Sequence, residues 1–273
     1  MASYGAGCGT APLLTTRVPC STNWPMNVYL AEFVGTTMLV LLGNGVVANV
    51  GLAKTKSHNG GWIVVTLGWA LGVAFAVYTV GRISEAHINP AVTVGLASIG
   101  AFAWGQVPGY IAAQVAGGFF GAVLVYLSFF AHWEATDDSD SILSCFSTSP
   151  AIRRFGPAII TEFVGTFILL FGVLAIGSVA LGAEGAEEAW TVAVGTFFGP
   201  LLIGLLVLSI GISLGGPTGY AINPARDFGP RLAHTVLPIP GKRDGDWAYA
   251  WVPILSPLCG GIAGAQAFVL LGF

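Results

Sequence analysis

The triplets Asn89-Pro90-Ala91 and Asn223-Pro224-Ala225 repeat one pattern in a chain of 273 residues, 55% of them hydrophobic and only 8% charged. Asn is a favoured helix N-cap, and Pro is favoured at the first helical position because its missing N–H would be unpaired there anyway. Each triplet therefore predicts a helix start, and an Asn amide held at such a point can donate to an oxygen passing it. The stretch GYAINPARDFGPR adds Arg226, Asp227 and Arg231 to the second triplet. A guanidinium presents a rigid fork of donors, and in an apolar setting it needs partners or a water-filled cavity. Two carboxylates, Glu32 and Glu162, stand inside the apolar strings AEFVGTTMLVLL and TEFVGTFILLFG. They could relay protons or accept hydrogen bonds from buried backbone. His87 reads as a loop-fixing hydrogen-bond partner, because no second His or Cys lies near it to complete a metal set. No nucleophile–base pair or metal-ligand spacing occurs, so neither a catalytic site nor a cofactor is expected.

The elements that must position these groups follow from length and polarity. Soluble domains carry about 25% charged residues, which excludes that class here. Apolar windows long enough for a bilayer core of about 20 residues fall at about 28–50, 62–81, 107–131, 157–181, 190–214 and 248–271, with Glu32 and Glu162 their only charges. The class is an all-α polytopic membrane protein. Residues 1–26 form a polar, flexible N-terminal tail without a signal-peptide core, and residues 27–273 the membrane domain. The formal net charge of −3 gives no reason to expect a nucleic-acid partner. Cys8, Cys20, Cys145 and Cys259 have no metal or redox spacing. The acidic run ATDDSDS at 135–141 matches no calcium loop and is expected to be a solvated connection.

The string EFVGT recurs from Glu32 to Glu162, 130 residues on, and the Asn-Pro-Ala triplet recurs after 134. Two markers at nearly one offset imply a duplicated half, about 27–131 and 157–272. Each half holds three spans, an odd number, so the second copy runs through the membrane in the opposite sense, and the shared site lies near the midplane. The apolar stretches opened by the triplets, about 89–96 and 223–232, are too short to cross. Two half-helices from opposite faces would make a broken seventh span. Their N-termini carry partial positive charge and would repel cations where they meet. The irregular backbone leading to each must line protein or water at that depth, and its carbonyls would form a ladder of acceptors. A narrow polar track on an apolar wall is a path for small neutral molecules bearing hydroxyls.

With these motifs, over about residues 27–272, the chain resembles the aquaporin superfamily of major intrinsic proteins, and within it the glycerol-facilitator type. The resemblance implies six transmembrane helices plus two re-entrant half-helices in inverted three-helix repeats. It implies a passive channel for glycerol and similar small polyols, conducting water and excluding ions and protons. It also implies a homotetramer with one pore per protomer, seated in the plasma membrane bilayer with cytoplasmic termini. Counting Lys and Arg in the loops points the other way, with the termini outside; the family's orientation is the one expected. The family's constriction maps to Trp69, Gly211, Tyr220 and Arg226, where Gly211 leaves room, Trp69 and Tyr220 make an apolar corner, and Arg226 donates to hydroxyls. Asn89 and Asn223 are the central donors. Glu32, Glu162, His87 and Asp227 support the loops. Asp227, Arg231 and the pair Pro253-Ile254 follow the glycerol-type pattern.

Two positions depart from the family. Glu85, in SEAHINP, stands where Gly is common; either its side chain turns away, for example to pair with Arg82, or the carbonyl ladder is altered there. Tyr220 stands where bacterial relatives often have Phe. The spacings Gly117-xxx-Gly121 and Gly260-xxx-Gly264 suit tight helix packing, between protomers or within one. The alternative function is a gradient-coupled secondary transporter using Glu32 and Glu162 as carriers, for which no further ionisable chain completes a relay.

Overall fold

The computed structural model describes residues 27–181 and 188–273, and all the regular secondary structure in that range is helical. The expected tail 1–26, with Cys8 and Cys20, lies outside the described residues. Six helices are long and apolar enough to cross a membrane: α1 (Val28–Gly51), α2 (Trp62–Ser84), α4 (Val107–Ser128), α7 (Phe155–Leu181), α8 (Glu188–Leu214) and α10 (Val252–Leu271). Two shorter helices begin inside the triplets, α3 (Pro90–Ser98) and α9 (Pro224–Val236). Short α5 (Phe130–Trp133) and α6 (Ser139–Ser144) lie between the repeats.

Both triplets cap helices as their chemistry dictates. Asn89 and Asn223 have extended backbones, and their Oδ1 atoms accept from Ala91 N at 2.9 Å and Ala225 N at 3.0 Å. Both half-helices outrun the sequence reading, ending at Ser98 and Val236 rather than about 96 and 232. For α9 the reason is distant in sequence. Lys242 Nζ donates to the carbonyls of His234, Thr235 and Leu237 at 2.7–2.9 Å, a cation satisfying the last turn. Two spans were read too long. The third stops at Ser128 because Trp133, fully buried, folds back to donate Nε1 to Tyr126 O at 2.9 Å. The sixth starts at Val252, with Pro253 in its first turn. The 135–141 run is only partly a loose connection: Asp138 caps α6 by accepting from Asp140 N and Ser141 N, and hydrogen bonds from Ser141 hold its carboxyl below the ordinary value.

α1 packs against α2 and α4, and α7 against α8 and α10, giving two three-helix groups joined by α2 against α8. Glycine removes side chains at the closest approaches. A Cβ on Gly117 or Gly121 would lie 2.4 and 2.7 Å from the carbonyl oxygens of Phe33 and Thr37 in α1. One on Gly260 or Gly264 would lie 2.3 and 2.5 Å from those of Phe163 and Phe167 in α7. Both small-residue spacings thus serve packing within one chain.

The half-helices change sides. α3 of the first repeat packs on α10 of the second, and α9 of the second packs on α4 of the first. Gly261 and Gly118 make the room: a Cβ there would stand 2.6 Å from the Ala91 and Ala225 carbonyl oxygens, one residue past each Pro. Each repeat therefore seats the other's half-helix.

Candidate functional site

The segments before α3 and α9 are irregular, with positive φ at Glu85, Ala86 and Ile88 and at Tyr220 and Ile222. Buried irregular backbone must find partners for its N–H groups. Glu32 supplies them to the first segment: its carboxylate accepts from His87 N at 3.0 Å and Ile88 N at 2.7 Å, and from Ser84 Oγ at 2.6 Å and Gln114 Nε2 at 2.7 Å. Glu162 does the same for the second, accepting from Ala221 N at 2.9 Å, Ile222 N at 2.8 Å and Thr218 Oγ1 at 2.7 Å. Both glutamates are fully buried. Two more residues of the EFVGT string have a structural reason: Gly35 and Gly165, one turn past each Glu, leave room for Ile88 and Ile222, whose Cγ2 atoms would stand 2.8 and 3.0 Å from an added Cβ.

With their N–H groups bound outward, the carbonyls of Glu85, Ala86, His87, Gly219, Tyr220 and Ala221 take no donor among the described residues. All but Gly219 line a cavity of about 150 Å³ that also meets Asn89, Asn223 and Arg226. Its opposite wall is aliphatic, including Leu39, Val73, Leu169 and Val207. One face accepts hydrogen bonds and the other repels water.

At the centre the two loops are cross-linked. Asn89 Nδ2 donates to Ile222 O and Asn223 Nδ2 to Ile88 O, each at 2.8 Å. An amide nitrogen carries two hydrogens, so each Asn keeps a second N–H for a molecule in the cavity. The expected donation to a passing oxygen thus has one N–H per amide left for it, the other holding the half-helices tip to tip.

At one end Trp69, Gly211, Tyr220 and Arg226 come together. Trp69 is 3% exposed and lies against Gly43 of α1, where an added Cβ would fall 2.2 Å from the indole. The Arg226 Cζ sits 4.0 Å from the Trp69 ring centroid, a cation–π contact, with the residue 5% exposed. Its side chain donates to no described residue, which leaves the fork free toward the cavity. The room expected at Gly211 is not empty: a Cβ there would stand 2.8 Å from Tyr220 Cζ and 2.9 Å from Thr66 Cγ2. The phenol ring takes the space the missing side chain leaves. Trp62 steadies this corner, donating Nε1 to Gly211 O at 2.9 Å and meeting Tyr220 edge-on.

Asp227 and Arg231 point away from the cavity. Asp227 accepts from Thr148 N at 2.8 Å, Thr148 Oγ1 at 2.7 Å and Arg231 Nε at 2.9 Å. Arg231 also donates to the Gly245, Asp246 and Thr148 carbonyls, and both residues are fully buried. The pair fastens α9 to the 148 and 245 loops. His87 bonds Thr93 Oγ1 through Nδ1 at 3.1 Å. Glu85 forms no ion pair with Arg82 among the described residues; its carboxylate lies 3.5 Å from His87 Nε2.

The sequence reading missed Ser84, Gln114, Thr93, Thr148 and Thr218. Ser84 and Thr218 stand at the 134-residue offset of the triplets, which could have found them. Gln114 and Thr148 carry no such mark.

The profile of the family described as Major intrinsic protein matches residues 21–268. The chain is 61% identical over 243 residues to a probable glycerol uptake facilitator protein of Thermotoga maritima, covering 89% of this chain and 98% of that one. It is 50% identical to a glycerol uptake facilitator protein of Bacillus subtilis, covering 88% and 82%. Its fold matches the aquaglyceroporin from Plasmodium falciparum with a TM-score of 0.73 at 31% identity, covering 88% and 93%. With six spanning helices, two tip-to-tip half-helices and these relatives, the chain is an integral membrane protein that belongs to the major intrinsic protein family.

Proposed function

We propose that this protein is a passive channel for glycerol and other small neutral polyols, conducting water and excluding ions and protons. The observation that carries this reading is the two-faced cavity: unpaired carbonyls, two Asn amides and the Arg226 fork on one side, aliphatic side chains on the other. A polyol has hydroxyls for the first face and a carbon backbone for the second. The relatives named as glycerol uptake facilitators support the same solute. In this reading Trp69, Gly211, Tyr220 and Arg226 are the filter. Desolvation of ions by an aliphatic wall, and the positive ends of α3 and α9 at the centre, oppose cation and proton passage. Glu32 and Glu162 hold the loops: their oxygens are already filled by donors, which disfavours a carrier role in coupled transport. By family resemblance the assembly is a homotetramer, in the plasma membrane with cytoplasmic termini, and residues 1–26 are an appended tail.

The test is the swelling of liposomes containing the purified protein in a glycerol gradient. Swelling should accelerate well above that of empty vesicles and stay unchanged when a proton or sodium gradient is imposed or collapsed. Flux that requires either gradient sinks the channel reading.

A further inference from the structure

The duplicated halves meet about a pseudo-twofold axis at the Asn pair. Asn89 donates to Ile222 O and Asn223 to Ile88 O, one bond the image of the other. α2 and α8 also cross at matching residues. A Cβ on Gly204 would lie 2.7 Å from the carbonyl oxygen of Ala70, 134 residues earlier. Each position on one side of the Asn pair therefore has a counterpart on the other.

The same offset of 134 picks out a counterpart of the filter. Trp69 maps to Ile203, Gly211 to Val77, Tyr220 to Ala86 and Arg226 to Val92. All four line the cavity, and Val77, Val92 and Ile203 are half-buried, which leaves them surface that a solute can touch. Arg226 and Val92 are the third residues of α9 and α3, helices that run apart from the centre. The second ring thus lies beyond the Asn pair from the filter. Its chemistry is the opposite of the filter's. A guanidinium, an indole N–H and a phenol are replaced by four aliphatic side chains, none of which donates or accepts a hydrogen bond. The residue behind the ring follows suit: Gly43, which makes room for Trp69, is matched 130 residues on by Val173, which also lines the cavity.

We propose that Val77, Ala86, Val92 and Ile203 form an aliphatic collar that favours polyols over water, a second specificity-determining ring. The inference rests on the channel reading above and assigns its glycerol-to-water ratio to named residues. A water molecule has two hydrogens and two lone pairs, and within the ring only the Ala86 carbonyl answers any of them. The remaining hydrogen bonds are given up without return. A polyol donates a hydroxyl to that carbonyl while its carbons rest against the collar, and burial of those carbons offsets part of the loss. The collar therefore raises the barrier to water more than the barrier to glycerol.

The experiment measures water and glycerol permeability by stopped-flow light scattering. The liposomes carry the parent, Val77→Thr, Val92→Thr or Ile203→Val. Threonine keeps the shape of valine and replaces one methyl with a hydroxyl. Each Thr variant should raise water permeability about fivefold, the worth of one hydrogen bond. Glycerol gains the same bond but loses apolar contact, so its permeability should change by less than about twofold. Ile203→Val adds room and no hydrogen bond, and should leave the ratio of the two permeabilities close to the parent's. Melting temperatures show which variants fold, and the two Thr sites test the collar independently. Folded Thr variants with the parent's ratio, or an equal shift from Ile203→Val, overturn the collar and leave the channel reading intact. A parent that passes no glycerol overturns both.

Discussion

The phenol ring of Tyr220 stands over Gly211, so close that a methyl group on Gly211 would lie 2.8 Å from the ring. The two positions are therefore one steric unit, and the width of the filter depends on how Tyr220 is seated. Gly211→Ala should push the ring toward the path. Overpacking costs about 1–3 kcal/mol of stability, and the narrowed path should lower glycerol flux severalfold, with water flux falling less. Adding Tyr220→Ala should restore glycerol flux. Stopped-flow light scattering of liposomes measures both; an unaffected single variant would refute the coupling. By the same geometry, a water-selective filter built with Gly211→His requires Tyr220 to shrink along with Trp69→Phe.

Glu162 holds the Ala221 and Ile222 amides with no side-chain amide beside it, whereas Glu32 also has Gln114. Glu162→Gln turns an NH2 group toward donors in a fully buried place. An unsatisfied buried polar group costs about 1–3 kcal/mol, more when a charge was involved. The melting temperature of the detergent-solubilised protein should drop by several degrees, and the remaining folded fraction should still pass glycerol without a proton gradient. Loss of transport at an unchanged melting temperature would instead favour a carrier role.

Asp227 and Arg231 are buried together and share Thr148. Removing one partner of such a pair strands a charge and costs about 3–5 kcal/mol. Asp227→Ala should destabilise strongly, whereas Asp227→Leu with Arg231→Met should cost less than either truncation alone. A double-mutant cycle on thermal unfolding reads the difference.

Gly118 and Gly261 each face a half-helix carbonyl at a Cβ distance of 2.6 Å. Gly261→Ala and Gly118→Ala should displace α3 and α9 respectively, lowering both stability and flux. Gly45→Ala on α1, with nothing within 4 Å, should leave both unchanged or slightly raise stability, because Ala favours helix. Equal outcomes at Gly45 and Gly261 would contradict the close approach.

The sequence alone determined the six spans, the duplication and the two half-helix starts. These are local properties: a length of apolar residues matched to a bilayer, a repeated string, and an Asn-Pro pair that caps whatever helix follows it. Glu32 and Glu162 were legible as loop supports only through the family resemblance; by itself a carboxylate in an apolar run shows only that it must find donors. What the tertiary structure decided rests on residues far apart in the chain. The Asn223–Ile88 bond links positions 135 residues apart, and Asp227 meets Thr148 across 79. That each repeat seats the other's half-helix follows from Gly118 and Gly261, glycines that look like any others in a chain holding 39. The occupied space over Gly211, and the 3.5 Å contact between Glu85 and His87, depend on how side chains from different elements share one cavity. Spacing along a chain cannot fix that, because packing is decided by volume and by which polar atoms are left without partners.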